Sequence, residues 1–191
     1  MNKDLLIKYG AVVEKLEKDD FIFEAGENPT SFLYLLKGTV RIYTLSEGGK
    51  EFTHKIFNEG ESLGTPPLFI DKPYPSTAVA KTDVEILKLN KESFYQLLED
   101  NPQFLKAIVK GLSEIIYFKS IMSSEISLHD PQHRILTLFD QLKTKETREE
   151  IRLTRQQIAN LTALRVETVI RTIKQMEQEE LLEIRKRKVY F

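Results

Sequence analysis

The stretch Leu153–Lys174, LTRQQIANLTALRVETVIRTIK, decides how the chain around it folds. Thr154 followed three residues later by Gln157 has the form of a capping box, in which two side chains satisfy each other's backbone N–H groups. Ile158, Ala159 and Leu161 give a first helix its apolar side. Ala163 and Leu164 fall where a tight turn belongs, and a second helical run begins near Val166. On a 3.6-residue wheel Val169, Ile173 and Met176 share one side, and Glu167, Ile170, Arg171 and Lys174 share the opposite one. The first side can pack on a core while the second projects a carboxylate and a guanidinium four residues apart. A helix fits the major groove of B-DNA, where Arg bonds bidentately to guanine and Glu accepts from cytosine. The layout is that of a helix-turn-helix whose second helix reads bases. The same Glu167–Arg171 spacing also suits a surface ion pair worth about 0.3–0.5 kcal/mol.

Downstream, Leu181–Ile184 and Val189–Phe191 flank Arg185-Lys186-Arg187-Lys188, a two-stranded wing with a cationic tip suited to phosphate contact. Upstream, Asp130 can cap a helix that has Pro131 at its first position. That helix, Gln132–Lys143, presents Ile135, Leu136, Leu138, Phe139 and Leu142 as core, and Lys145–Glu150 reads as a charged connection. From Phe104 to about Ile126 runs a helical pattern without proline. Leu105, Ile108, Val109, Leu112, Ile115, Ile116, Lys119 and Met122 recur there at three- and four-residue steps. Such a seam resembles a coiled-coil interface, and a parallel homodimer through this helix is the expected assembly.

The first hundred residues change period. Leu5, Leu6, Val12 and Val13 suggest a short opening helix, and Phe21–Phe23 a strand stopped by Gly26. FLYLLKGTVRIYTL, Phe32–Leu45, is a long β-rich run with Gly38 in its middle, which points to a bend or a close backbone approach. Ser46-Glu47-Gly48-Gly49 marks a turn before a returning strand at Glu51–Phe57, and short strands follow around Thr77–Ala80 and Val84–Leu89. Phe94, Leu97 and Leu98 then sit on a short helix closing at Asn101-Pro102. Short strands with frequent turns argue for a jelly-roll barrel. The expected fold class is α+β: an N-terminal β jelly-roll barrel over residues 1–101, a long dimerisation helix over 102–128, and a C-terminal winged helix-turn-helix over 129–191.

The 191 residues include no cysteine, which excludes disulfides, thiolate nucleophiles and cysteine-held zinc or iron–sulfur clusters. Residues 1–127 carry 15 Lys/Arg against 19 Asp/Glu, a balance of −4, and residues 128–191 carry 13 against 10, a balance of +3. An acidic front and a basic back suit a sensor joined to a nucleic-acid reader. No cationic segment followed by an apolar run opens the sequence and no stretch is apolar enough to span a bilayer, so no membrane partner and a cytoplasmic location are expected. No phosphate loop, nucleophile elbow or His–Glu zinc motif appears, so no enzyme is expected. His54 stands alone in the barrel. His129 and His133, four residues apart, have no obvious third ligand, so neither metal nor other cofactor is expected.

The segment TRQQIANLTALRVETVIRTIKQMEQEELL, with Glu-Thr-Val-Ile-Arg at 167–171, resembles the signature of the Crp/Fnr family of bacterial transcription regulators. Ala25-Gly26-Glu27, Leu36–Val40 and Phe57–Glu61 are similar to turns of that family's cyclic-nucleotide-type barrel. The resemblance implies a dimer on a palindromic double-stranded operator, with RNA polymerase and a small-molecule effector as candidate further partners. It places Glu167 and Arg171 on base edges and Val166 on a thymine methyl. It places Arg155, Gln156, Thr168, Lys174 and the wing cations, Arg187 and Lys188 among them, on phosphates. Two positions depart from the pattern: Arg165 stands where many relatives have a small hydroxyl residue, and Ile170 replaces a small residue on the reading face. In nucleotide-binding members a Glu holds the ribose and an Arg pairs with the cyclic phosphate. Aligning Ser62–Phe69 and Pro75–Ala78 on that cassette puts Thr65 and Pro75 at those two positions, which argues against ordinary cyclic AMP binding. Gly64, Thr65, Ser76 and Thr77 remain as the candidate effector pocket. The rival reading is a ligand-sensing or protein-interaction module that no longer reads an operator.

Overall fold

The computed structural model describes residues 3–46, 48–49, 51–143 and 147–191. Glu47 of the expected turn, and Lys145 with Glu146 of the expected charged connection, lie outside them. The chain divides into two compact units, Met1–Val109 and Lys110–Phe191.

The first unit opens with α1 (Lys3–Lys8) and continues through β1 (Val12–Leu16), β2 (Phe21–Phe23), β3 (Ser31–Lys37), β4 (Val40–Leu45) and β5 (Glu51–Phe57). It goes on through β6 (Ser62–Leu63), α2 (Thr65–Ile70), β7 (Thr77–Ala80), β8 (Val84–Asn90) and α3 (Lys91–Asp100). Val12 and Val13, expected in the opening helix, instead begin a strand. The preceding helix ends at Lys8, and Gly10, with φ +94°, turns the chain into the strand. The strands form two antiparallel four-stranded sheets, ordered β1-β8-β3-β6 and β2-β7-β4-β5. The architecture is the expected jelly roll, built as two facing sheets.

Leu33 and Leu35 of β3 and Val84 and Ile86 of β8 point between the sheets, where they meet Phe23, Val40, Ile42, Leu63 and Ala78. The alternate residues of the same strands are also buried, because helices cover the outer face of the first sheet. Phe32 stacks on Phe94 of α3 with ring centroids 4.4 Å apart, and Phe104 meets it edge-on at 6.2 Å. Burial on both faces explains why Phe32–Leu36 reads as an unbroken apolar run.

Gly38 splits the long β-rich run between the two sheets. Its φ is +88°, and a Cβ there would lie 2.4 Å from Asp83 O and 2.8 Å from Thr82 Oγ1. Residues 81–83 themselves link strands of different sheets, so two corners of the jelly roll touch through a position with no side chain. Gly38→Ala is expected to lower unfolding free energy by about 1–3 kcal/mol through strain and overpacking, measured by denaturant unfolding.

Helix α4 (Pro102–Leu128) runs on from the first unit into the second. The second unit adds α5 (Pro131–Leu142), β9 (Glu150–Ile151), α6 (Arg155–Thr162), α7 (Val166–Gln178), β10 (Glu183–Arg185) and β11 (Lys188–Tyr190). Its core gathers Met122 of α4, Ile135, Leu138 and Phe139 of α5, Ile158 and Ala159 of α6, and Val169, Ile173 and Met176 of α7. The wing expected to have two strands has three, ordered β10-β11-β9. The added strand comes from Glu150-Ile151, with Val189 paired to Ile151 and Tyr190 to Glu150. Among the described residues no helix is long and apolar enough to cross a membrane.

Candidate nucleic-acid interface

The local folding of the second unit follows from its caps and its apolar period. Thr154 Oγ1 accepts from the Gln157 N–H at 3.1 Å, and the Thr154 N–H donates to Gln157 Oε1 at 2.7 Å, completing the capping box. Helix α6 ends in Ala163 with φ +52°, and the Leu164 N–H reaches back to Ala159 O at 3.0 Å. A left-handed residue carrying that bond closes the helix and turns the chain into α7. Asp130 caps α5 by accepting from the His133 N–H at 3.0 Å, and this holds its carboxyl below the usual carboxylate range.

Val169, Ile173 and Met176 are fully buried, while Glu167, Ile170, Arg171 and Lys174 are exposed on the opposite face of α7. No ion pair or hydrogen bond joins Glu167 to Arg171 among the described residues, so the two side chains stay available. Val166 is half-buried against the core and Thr168 is half-exposed. Gln156 is exposed and donates to Asn160 Oδ1 at 2.9 Å. Arg165 occupies the N-cap of α7 and makes no capping hydrogen bond. A guanidinium has no acceptor to offer the first N–H groups, so the cap that a small hydroxyl would supply is missing.

Arg155, Ile170, Lys174, Arg187 and Lys188 line one open concavity of about 720 Å³ between α7 and the wing, floored by Leu153, Ile173 and Val189. Partial burial holds the Arg155 guanidinium below its usual pKa, but an arginine stays charged there. Arg152 lines the same wall and was missed in the sequence. The alternation Ile151-Arg152-Leu153, with both apolar neighbours packed inward, was the signal that could have found it. The wing tip is a two-residue turn with φ +49° at Lys186 and +67° at Arg187. Glycine and asparagine normally take such positions, so the sheet holds two cations in a disfavoured backbone state. Arg185 is paired with Glu183, and Lys188 Nζ lies 2.9 Å from Glu150 Oε1.

The structure does not gather the candidate effector residues into so clear a site. Gly64 (φ +59°) precedes α2, a short helix not expected from the sequence, and a Cβ on it would lie 2.5 Å from the Tyr74 ring. Tyr74 stacks on Phe23 with centroids 3.8 Å apart, and burial pushes its hydroxyl up to about 12. Thr65 and Ser76 are buried, the Thr65 hydroxyl has no hydrogen-bond partner, and Thr77 Oγ1 accepts from the Ala25 N–H at 3.1 Å. The expectation that His129 and His133 lack a third ligand needs correction: Glu125, one turn earlier on α4, reaches both.

A jelly roll, a long helix and a winged helix-turn-helix with an exposed polar face on its second helix are the parts of a DNA-binding regulator. Residues 13–101 match the model of the cyclic nucleotide-binding domain, and residues 133–191 match that of the Crp-like helix-turn-helix domain. The chain is 28% identical over 177 residues to the cAMP-activated global transcriptional regulator CRP of Pasteurella multocida, covering 89% of this chain and 85% of that one. It is 27% identical over 189 residues to the global nitrogen regulator of a Nostoc species, covering 93% and 84%. The structure of the c-di-GMP-responsive global regulator CLP of Xanthomonas campestris has the same fold, with a TM-score of 0.70 at 24% identity over 97% of both chains. The chain belongs to the Crp/Fnr family of transcription regulators.

Replacing Thr154 with Ala removes the hydroxyl half of the capping box. The expected cost is about 0.5–2 kcal/mol of stability in the second unit, read from thermal or denaturant unfolding.

Proposed function

We propose that the chain works in the cytoplasm as a homodimer that reads a palindromic operator through α7. Residues 1–101 would act as sensor, 102–128 as dimer seam and 129–191 as reader. The observation that carries the reading is the division of α7 into a buried apolar face and an exposed face on which Glu167 and Arg171 remain unpaired with each other. Glu167 and Arg171 contact base edges, with Val166 and Ile170 supplying apolar contacts. Arg155, Gln156, Thr168, Lys174 and the wing cations hold phosphates. Arg165 joins them from the start of α7, where the first N–H groups carry no side-chain cap and favour an anion. Lys188 serves this role only in exchange with Glu150, so Lys186 and Arg187 are the principal wing contacts.

The dimer rests on a stripe along α4. Ile108 and Met122, expected in the seam, are buried within their own units, which leaves Leu105, Val109, Leu112 and Ile116 at four-, three- and four-residue steps. Leu105, Val109 and Ile116 are exposed, Ile116 by 68%, the pattern of a seam awaiting a second copy. The sensor does not bind cyclic AMP in the ordinary way. Thr65 and Pro75 lack the charges that a ribose and a cyclic phosphate need, and Tyr74 packs on Phe23 beside Gly64. A different small ligand, or none, governs the regulator, and RNA polymerase is its expected partner at the promoter.

Selection from random duplexes is expected to enrich a palindrome with half-sites about one helical turn apart. On that operator Arg171→Ala should cost about 1–3 kcal/mol and relax one base position, measured by binding titration. Equal loss on random DNA would reduce Arg171 to a phosphate contact. Ile116→Asp should shift the chain to monomer in sedimentation and weaken operator binding while leaving each unit folded. Arg165→Ser should raise stability by about 0.5–2 kcal/mol through the restored cap, yet weaken binding on every sequence and flatten its salt dependence.

A further inference from the structure

The break between α4 and α5 brings together three side chains of metal-ligand type. Helix α4 ends at Leu128, but the His129 N–H still donates to Glu125 O at 3.0 Å, so His129 follows Glu125 by one helical turn. His133 lies in the first turn of α5, fixed by the Asp130 cap. One ligand atom from each of Glu125, His129 and His133 lies within 4.8 Å of the other two. The imidazoles stack with centroids 4.2 Å apart, and His133 Nε2 lies 3.4 Å from Glu125 Oε2. Two atoms bound to one tetrahedral zinc at about 2.0–2.1 Å are themselves separated by about 3.3–3.4 Å. The His133–Glu125 separation matches one such edge, and the stacked imidazoles need only splay for both to face one ion.

A second observation is independent of the spacing. The Glu125 side chain is only 13% exposed, and its buried Oε2 forms no hydrogen bond, with His133 Nε2 beside it at 3.4 Å. A buried carboxylate oxygen left without a partner is costly, and a cation between it and the two imidazoles removes that cost. We propose that Glu125, His129 and His133 bind a divalent transition cation of the zinc class, tying the end of α4 to the first turn of α5. Two imidazoles and one carboxylate suit zinc, cobalt or nickel rather than calcium or magnesium, which prefer oxygen donors throughout. Three protein ligands leave a fourth position for water or an exogenous group. Outside the ligand set, Arg134 Nε donates to His129 O at 2.8 Å and steadies the backbone that carries the central ligand.

The simpler occupant is a proton, which would make His133 an imidazolium paired with Glu125 and leave His129 without a role. Titration of the metal-stripped, tag-free full chain with Zn²⁺ against a chromophoric chelator separates the two. The expected result is one ion per chain, with affinity falling about 100-fold or more in His129→Gln and in His133→Gln, both at exposed positions. Co²⁺ should give the visible absorption of a four- or five-coordinate ion, lost in the same variants. His54→Gln, which changes the remaining histidine, should leave binding unchanged. Zn²⁺ should slow amide exchange around residues 126–134 in the parent chain and in neither ligand variant. Circular dichroism confirms that the variants are folded. Absence of stoichiometric binding, parent-like affinity in either ligand variant, or exchange at 126–134 unaffected by Zn²⁺ would each overturn the proposal.

Discussion

Burial of Val169, Ile173 and Met176 against α5 and α6 is the constraint on which the reading surface depends. These side chains fix the rotation of α7 about its axis, and the 3.6-residue period then places Glu167, Arg171 and Lys174 in solvent without further instruction. A rotation of one residue, about 100°, would bury a charge and expose an isoleucine. Polar specificity on one side is thus enforced by apolar packing on the other. The capping box at Thr154 and the left-handed Ala163 set where the two helices start and stop, but the core decides which way the second one faces.

That division explains why the second unit was more legible in sequence than the first. Caps, turn and apolar period in Leu153–Lys174 are local signals, each carried by residues a few positions apart. The split of Phe32–Leu45 into two sheets is not local. Phe32 to Leu35 are buried on both faces, so the alternation that would mark an inner and an outer side is erased. Gly38 announced a close approach, but the partner, Asp83, lies far along the chain. β9 escaped because two residues carry no period, and its pairing with β11 is set by the opposite end of the unit. Glu125 escaped for another reason. It stands at the same four-residue interval from His129 as His133 does, but the domain boundary drawn at 128–129 separated it from the two histidines.

The first unit has the jelly-roll architecture of the cyclic nucleotide-binding domain that it matches. The space beside Gly64 is occupied by the Tyr74 ring stacked on Phe23. The core between the sheets and the helix packed over Phe32 hold this scaffold together.

The self-neutralised wing has a kinetic consequence. With Arg185 held by Glu183 and Lys188 by Glu150, half of its four-cation run is screened by the protein's own carboxylates. Non-specific residence on DNA scales with the counterions a protein releases, so each internal pair shortens the stay on random sequence. If the wing meets phosphates as proposed, such pairing favours frequent short visits to random sequence over long ones.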